Sequence, residues 1–218
     1  SVYADTSGNL TVSGTALSTW LGASTGNVIR WYDQSRFASH MTCSSASIQP
    51  TIDPTNKWID FKTSAYFDTS ATPSSGPVPY SNLQNYTIVC KHNTIGNSNG
   101  GICGCSNANP NYNTNNYTNN FRRNNINYQN YWFFNDLDGG TYGTGNTVSF
   151  KWDGTNRYIY SNGTLITASG ASNWWQSSSS GQMIGKTTND NTMNGEMYYI
   201  CMFSTSLNDA DRVIVESI

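Results

Sequence analysis

Residues 146–169, NTVSFKWDGTNRYIYSNGTLITAS, constrain the fold more than any other stretch of the chain. Val148, Phe150 and Trp152 alternate with polar residues, which is the period of a half-buried strand. Asp153-Gly154 breaks the run. A second run, RYIYS, meets Asn162-Gly163, a pair that tolerates positive φ at both central positions and so closes a tight hairpin. TLIT follows, and the stretch predicts three strands of an antiparallel meander. TIVCKH at 87–92 and YYICMFS at 198–204 are short apolar runs rich in β-branched and aromatic residues, and predict two more strands. Helix signals are few. SGTALSTWLG at 13–22 predicts one short helix with Gly22 just past its end. SLNDADRVIVESI at 206–218 predicts another, with Ser206 as the cap, Asp209 three residues on in place of a capping-box Glu, and Leu207, Ala210, Val213 and Ile214 on one face. No Pro-rich hinge or charge block divides the 218 residues, so one domain, 1–218, is expected.

Charged residues make up only 11% of the chain, and the net charge is -2. The polar surface must therefore come from Ser, Thr, Asn and Gly. A nucleic-acid partner, which needs a basic face, is not expected. A membrane-surface role is not expected either, and no stretch reaches the roughly 18 apolar residues of a spanning helix. The sequence begins without Met and carries no leader-like segment, as expected of a processed protein or of a domain excised from a longer one. Aromatics are 13%, with 14 Tyr and 7 Trp. Such a mixture suits a surface that meets glycans or other proteins outside the cell, although aromatics also favour strands in a β-rich core.

The five cysteines are Cys43, Cys90, Cys103, Cys105 and Cys201, and an odd count leaves at least one thiol unpaired. Cys90 and Cys201 sit in strand-like runs, where a thiol behaves as a small apolar group. Cys103 and Cys105 have C-x-C spacing, a poor zinc signal without a second pair. A loop disulfide from this pair and assembly in a reducing compartment both remain open.

Residues 107–134, NANPNYNTNNYTNNFRRNNINYQNYWFF, form the most unusual segment. Asn is disfavoured in helices and strands, yet Tyr112, Tyr117, Phe121, Tyr128 and Tyr131 recur through it. Two readings stand side by side. One is an ordered recognition loop of Asn and Tyr, with rigid amphipathic contacts and adaptable hydrogen bonds. The other is a strand pair with polar outer faces and Asn-rich turns.

NVIRWYDQS, SHMTCSSASIQPTI and KWIDFKTSAYFDTS together resemble a laminin-G-like, concanavalin A-like jelly-roll module. The resemblance is carried by Trp31, Tyr32, Asp33, Gln34 and Ser35, then His40, Gln49-Pro50 and Ile59 to Phe61. YIYSNGTLI and MIGKTTNDNTMNGEMYYICMFSTSLNDADR resemble the same family's later hairpin and closing pattern. The match thins at 93–145, and Arg36 and Phe37 stand where the family has Gly. The resemblance implies an all-β fold, a two-sheet antiparallel β-sandwich with one or two short helices, and little about function, because this fold carries lectins, glycosidases, adhesins and viral surface domains. Asp33 is expected to be structural, closing the strand end with its carboxylate as Asx turns do.

A glycosidase needs two carboxyl groups facing one bond. The chain has two Glu, Glu196 and Glu216, and lacks an E-x-D-x-x-E strand. IRWYDQS is also similar to arabinofuranosidase catalytic modules, which leaves a pair drawn from Asp136, Asp138, Asp190 and Glu196 as the hydrolytic alternative. For metal, Asp136 and Asp138 in NDLDGG are the single cluster with a calcium-loop look, against an ordinary Asp-Gly turn. Calcium is the one candidate cofactor. His40 and His92 have no nucleophile elbow beside them and are read as structural. For glycan binding, Trp174 and Trp175 in NWWQSSSS, with Tyr112, Tyr117 and Tyr128, are the candidate contacts. Asn9, Asn85, Asn116 and Asn162 head N-x-S/T triplets. The expected function is a non-catalytic recognition module that binds carbohydrate or another surface component, extracellular and part of a larger adhesin, fibre or secreted protein. The alternatives are a structural or attachment domain on a virion or surface layer, packed against neighbouring subunits, and a glycoside hydrolase.

Overall fold

The computed structural model describes residues 2–4, 6, 9–35, 40–43, 45–55, 58–61, 65–68, 85–105, 119–132, 136–143, 145–170, 182–187 and 190–218. Fourteen strands of these residues build two large antiparallel sheets. In chain order they are β1 (Gly26–Asn27), β2 (Thr51–Ile52), β3 (Ile59–Asp60), β4 (Phe67–Asp68), β5 (Tyr86–Ile95), β6 (Gly101–Cys105), β7 (Asn119–Asn124) and β8 (Asn127–Trp132). They continue as β9 (Leu137–Thr141), β10 (Thr147–Trp152), β11 (Asn156–Ser161), β12 (Thr164–Gly170), β13 (Gln182–Ile184) and β14 (Gly195–Phe203). The eight-stranded sheet has the order β12-β11-β10-β5-β14-β3-β2-β1, and the six-stranded sheet β9-β8-β7-β6-β13-β4.

The expected meander is β10, β11 and β12, paired in sequence. Its second turn holds Asn162 at φ 48 and Gly163 at φ 81, the left-handed pair that suits a two-residue hairpin. In its first turn the Asp153 carboxylate accepts from Thr155 N at 2.8 Å, Asn156 N at 2.7 Å and the Tyr158 hydroxyl at 2.7 Å.

The two sheets close on one aromatic core. Tyr86 of β5 and Phe150 of β10 meet Phe121 of the opposite sheet at 5.7 and 4.7 Å between ring centroids. Ile88, Cys90, Ile102, Cys103, Phe61 and Phe67 fill the rest. Several polar groups inside are hydrogen-bonded across the sandwich. Asn130 of β8 donates to the Tyr86 hydroxyl at 3.0 Å and accepts from the buried Arg157 of β11 at 3.1 Å. His92 of β5 shares a 2.7 Å hydrogen bond with the Tyr128 hydroxyl and stacks on Tyr142 at 5.6 Å. Cys43, Cys90, Cys103 and Cys201 stand as thiols, the first three buried.

Two short helices are present. Leu17–Leu21 (α1) ends at Gly22, at φ 57, as expected. Asp209–Glu216 (α2) differs from expectation in its cap and in its face. Asn208, and not Ser206, accepts from Asp211 N. Val213 and Ile214 are 47% and 65% exposed, whereas Arg212 is buried. The cause is the surface beneath. The helix lies on the outer face of the eight-stranded sheet, where Ser149 donates to Glu216, and the Arg212 guanidinium sits 3.6 Å above the Tyr160 ring and pairs with Glu216. A polar sheet face selects the polar stripe of the helix.

Candidate functional site

The Asn-rich tract becomes, over its described part, a hairpin of β7 and β8. Its turn holds Asn125 at φ 53, a conformation Asn tolerates better than most residues. Alternation divides this hairpin. Phe121, Tyr128 and Asn130 point into the sandwich, and Arg122 and Gln129, directly paired, point out.

Those outward residues join a row that crosses the six-stranded sheet. Asp138 of β9 accepts from Gln129 Nε2 at 2.8 Å, and from Asn124 Nδ2 at 3.4 Å. The Gln129 carbonyl oxygen accepts from Arg122 Nε. Arg122 Nη1 donates to Asp190, whose other oxygen accepts from the Thr187 hydroxyl. With strands about 4.8 Å apart, the row runs about 15 Å across the sheet. Its last two members lie in the segment after β13. Gly101 of β6 allows that segment to lie against the sheet, since a Cβ there would stand 2.4 Å from Thr187 N. Gly101 N also donates to Asn191 O at 3.0 Å.

The Arg122 guanidinium is thus held between Asp190 and the Gln129 carbonyl, and Gln129 in turn donates to Asp138. Most of the row is covered: Gln129 is 2% exposed and the Arg122 and Asp190 side chains 14% and 5%, so Asp138 is the exposed end at which a ligand can meet it. It is poorly arranged for hydrolysis. Asp138 and Asp190 are linked only through Gln129 and Arg122, which stand between them, rather than facing each other across an open cleft. Glu196 lies on the other sheet, in β14. Glu196, on the outer face of that sheet, is therefore not brought beside Asp138 or Asp190.

Tyr128 is corrected: it is fully buried, its hydroxyl on His92, and it offers no ring to a surface ligand. Burial raises its pKa well above the ordinary phenol range, an effect opposed by a hydrogen bond to Asn146. Trp174, Trp175, Tyr112 and Tyr117 lie outside the described residues. Asp138 sits in a strand and accepts from side-chain amides, and Gly139 and Gly140 pack against Thr167 and Ile166 of β12. Among the described residues no three His, Cys, Asp or Glu side chains gather in a metal-binding group. Asp136 is exposed, at the edge of the sandwich, and its charge reaches buried Arg157.

The Asp33 carboxylate accepts from Ser35 N at 2.8 Å and from Ser35 Oγ at 2.6 Å, an Asx turn at the end of the short Arg30–Trp31 strand. Asp33 N donates to His40 Nδ1 at 3.1 Å, and Gln34 Nε2 to Tyr32 O at 3.1 Å. Trp31 packs on Phe67 at 5.9 Å, and the exposed Tyr32 meets the His40 ring at 5.0 Å. Arg122, Gln129 and Asp190 were not singled out as a contact set in the sequence. The one signal for them was the strand-pair reading of the Asn-rich tract, which places Arg122 and Gln129 on an outer face.

Comparison with solved structures places this architecture. The CBM40 module of the Ruminococcus gnavus IT-sialidase superposes with a TM-score of 0.56 at 17% identity, over 73% of this chain and 96% of that one. The fold is a jelly-roll β-sandwich. The Streptococcus pneumoniae NanB sialidase matches at a TM-score of 0.51 and 16% identity, and the Trypanosoma rangeli sialidase at 0.53 and 10%. This chain spans only 26% and 29% of those two enzymes. No family model and no curated protein matches the sequence. Among the described residues no helix is long and apolar enough to cross a membrane.

Proposed function

We propose that this chain is a non-catalytic carbohydrate-binding module whose ligand lies on the outer face of the six-stranded sheet, across Asp138, Gln129, Arg122 and Asp190. The observation that carries the reading is the hydrogen-bonded row itself. Four polar side chains from three strands and one loop are held in fixed orientations, with exposed Asp138 backed by the nearly buried Gln129, Arg122 and Asp190, and a pre-organised polar group of this kind suits hydroxyl recognition. The fold supports the reading: one structure of the R. gnavus CBM40 module holds α2,3-sialyllactose. Within the jelly rolls, W-Y-D-Q-S and its Asx turn favour the laminin-G-like branch. The module would work outside the cell, as part of a larger adhesin, fibre or secreted protein. Trp174, Trp175, Tyr112 and Tyr117 remain its candidate stacking residues, to be tested alongside the row.

A broad glycan array tests this. The native chain should bind at least one glycan class, and Arg122→Gln should reduce that binding about tenfold or more, the value of one charge-assisted hydrogen bond. An array on which the folded native chain binds nothing would refute the reading.

A further inference from the structure

The opposite sheet carries a second, separate constellation. β5 and β14 pair with two compensating bulges, at which Tyr198 on β14 and Asn93 on β5 are the extra residues. Bulges cost ladder hydrogen bonds and re-aim side chains. Here both extra side chains reach one patch of the outer face. The Tyr198 ring lies 5.3 Å from Trp58, edge to face, with Lys91 Nζ 5.5 Å from its centroid. Asn93 Nδ2 donates to Glu196 at 2.7 Å. Glu196 is directly paired with Asp60 across β14 and β3, and both stand on the face opposite buried Ile59 and Met197. Three neighbouring strands thus present two rows. One is Trp58, Tyr198 and Lys91; the other is Asp60, Glu196 and Asn93. All six are half-buried. Asp60 and Glu196 thus bring two carboxylates side by side on one face.

We infer that this patch is a second carbohydrate subsite, independent of the six-stranded face, which takes a neutral pyranose unit. The aromatic row offers a ring edge and face to the apolar side of a sugar. The adjoining carboxylates and amide accept from and donate to its hydroxyls, bonds to charged acceptors being the stronger kind. Among the described residues of the patch two carboxylates stand with one ammonium, a balance that disfavours an anionic sugar. α2 borders the patch, with the Tyr199 hydroxyl donating to Val215 O at 3.2 Å.

The test is saturation-transfer NMR and calorimetry of the full chain with lactose, N-acetyllactosamine, mannotriose and cellotetraose. At least one should bind, with a Kd of about 1 mM. Trp58→Leu and Glu196→Gln should each weaken that binding about tenfold, and Leu165→Ala, at an exposed position of β12 outside both sites, should leave it unchanged. Should Trp58→Leu fail to fold, Glu196→Gln, which keeps the side-chain size, carries the comparison. No transfer from any of the four sugars would overturn the inference, as would binding indifferent to Glu196→Gln or abolished by Leu165→Ala.

Discussion

Lowering the pH from 7.5 to 4.5 should cost this protein stability through one residue, His92. Its ring is fully buried between β5 and β8, with Nε2 on the Tyr128 hydroxyl and one face on Tyr142. Burial lowers the pKa of His92 from 6.5 to about 4. The unfolded chain therefore binds a proton between those values that the folded chain refuses. Stability is fully present above pH 6.5 and is lost as the pH falls towards 4. The full shift is worth about 3 kcal/mol, of which about 2.5 kcal/mol is lost by pH 4.5. Other carboxylates also titrate in this range, so the assay compares native protein with His92→Phe, which cannot take up the proton. Urea unfolding at pH 7.5 and 4.5 should show a native loss larger than the variant's by about 2.5 kcal/mol, a midpoint difference of about 1–2 M urea. Equal losses in the two proteins would refute the reasoning.

Other outcomes follow from the same packing. Gly101→Ala puts a methyl 2.4 Å from Thr187 N, and overpacking of this kind should cost about 1–3 kcal/mol in thermal unfolding while loosening Asp190 from Arg122. Asn130→Leu strips partners from the Tyr86 hydroxyl and from Arg157, and should destabilise by about 3 kcal/mol in denaturant titration. Iodoacetamide under native conditions, read by peptide mass mapping, should label half-buried Cys201 before Cys90, whose thiol is fully buried and held protonated by desolvation.

The meander was legible because Asn162-Gly163 and the alternation of Val148, Phe150 and Trp152 are local signals, and local signals survive folding. The Asx turn at Asp33 was legible for the same reason. The face of α2 was not. Apolar periodicity predicts which side of a helix is buried only when the surface beneath is apolar, and Ser149 and Tyr160 are polar. The Asn-rich tract hid its geometry because composition does not set strand parity. A shift of one residue would exchange Tyr128 with Gln129 between core and surface. The row is non-local: Arg122 meets Asp190 across 68 positions of sequence. The bulges that bring Asn93 and Tyr198 to one face depend on strand pairing, which no single stretch of residues encodes.

The most direct measurement is a map of amide shifts in a ¹⁵N spectrum of the native chain as the best-binding glycan of the array is titrated in. Ligand on the six-stranded face should move the amides of β7, β8 and residues 185–191 first, with saturable curves that share one Kd. A bound glycan that leaves Arg122, Gln129 and Asp190 unmoved, and shifts amides elsewhere, would contradict the assignment of the site.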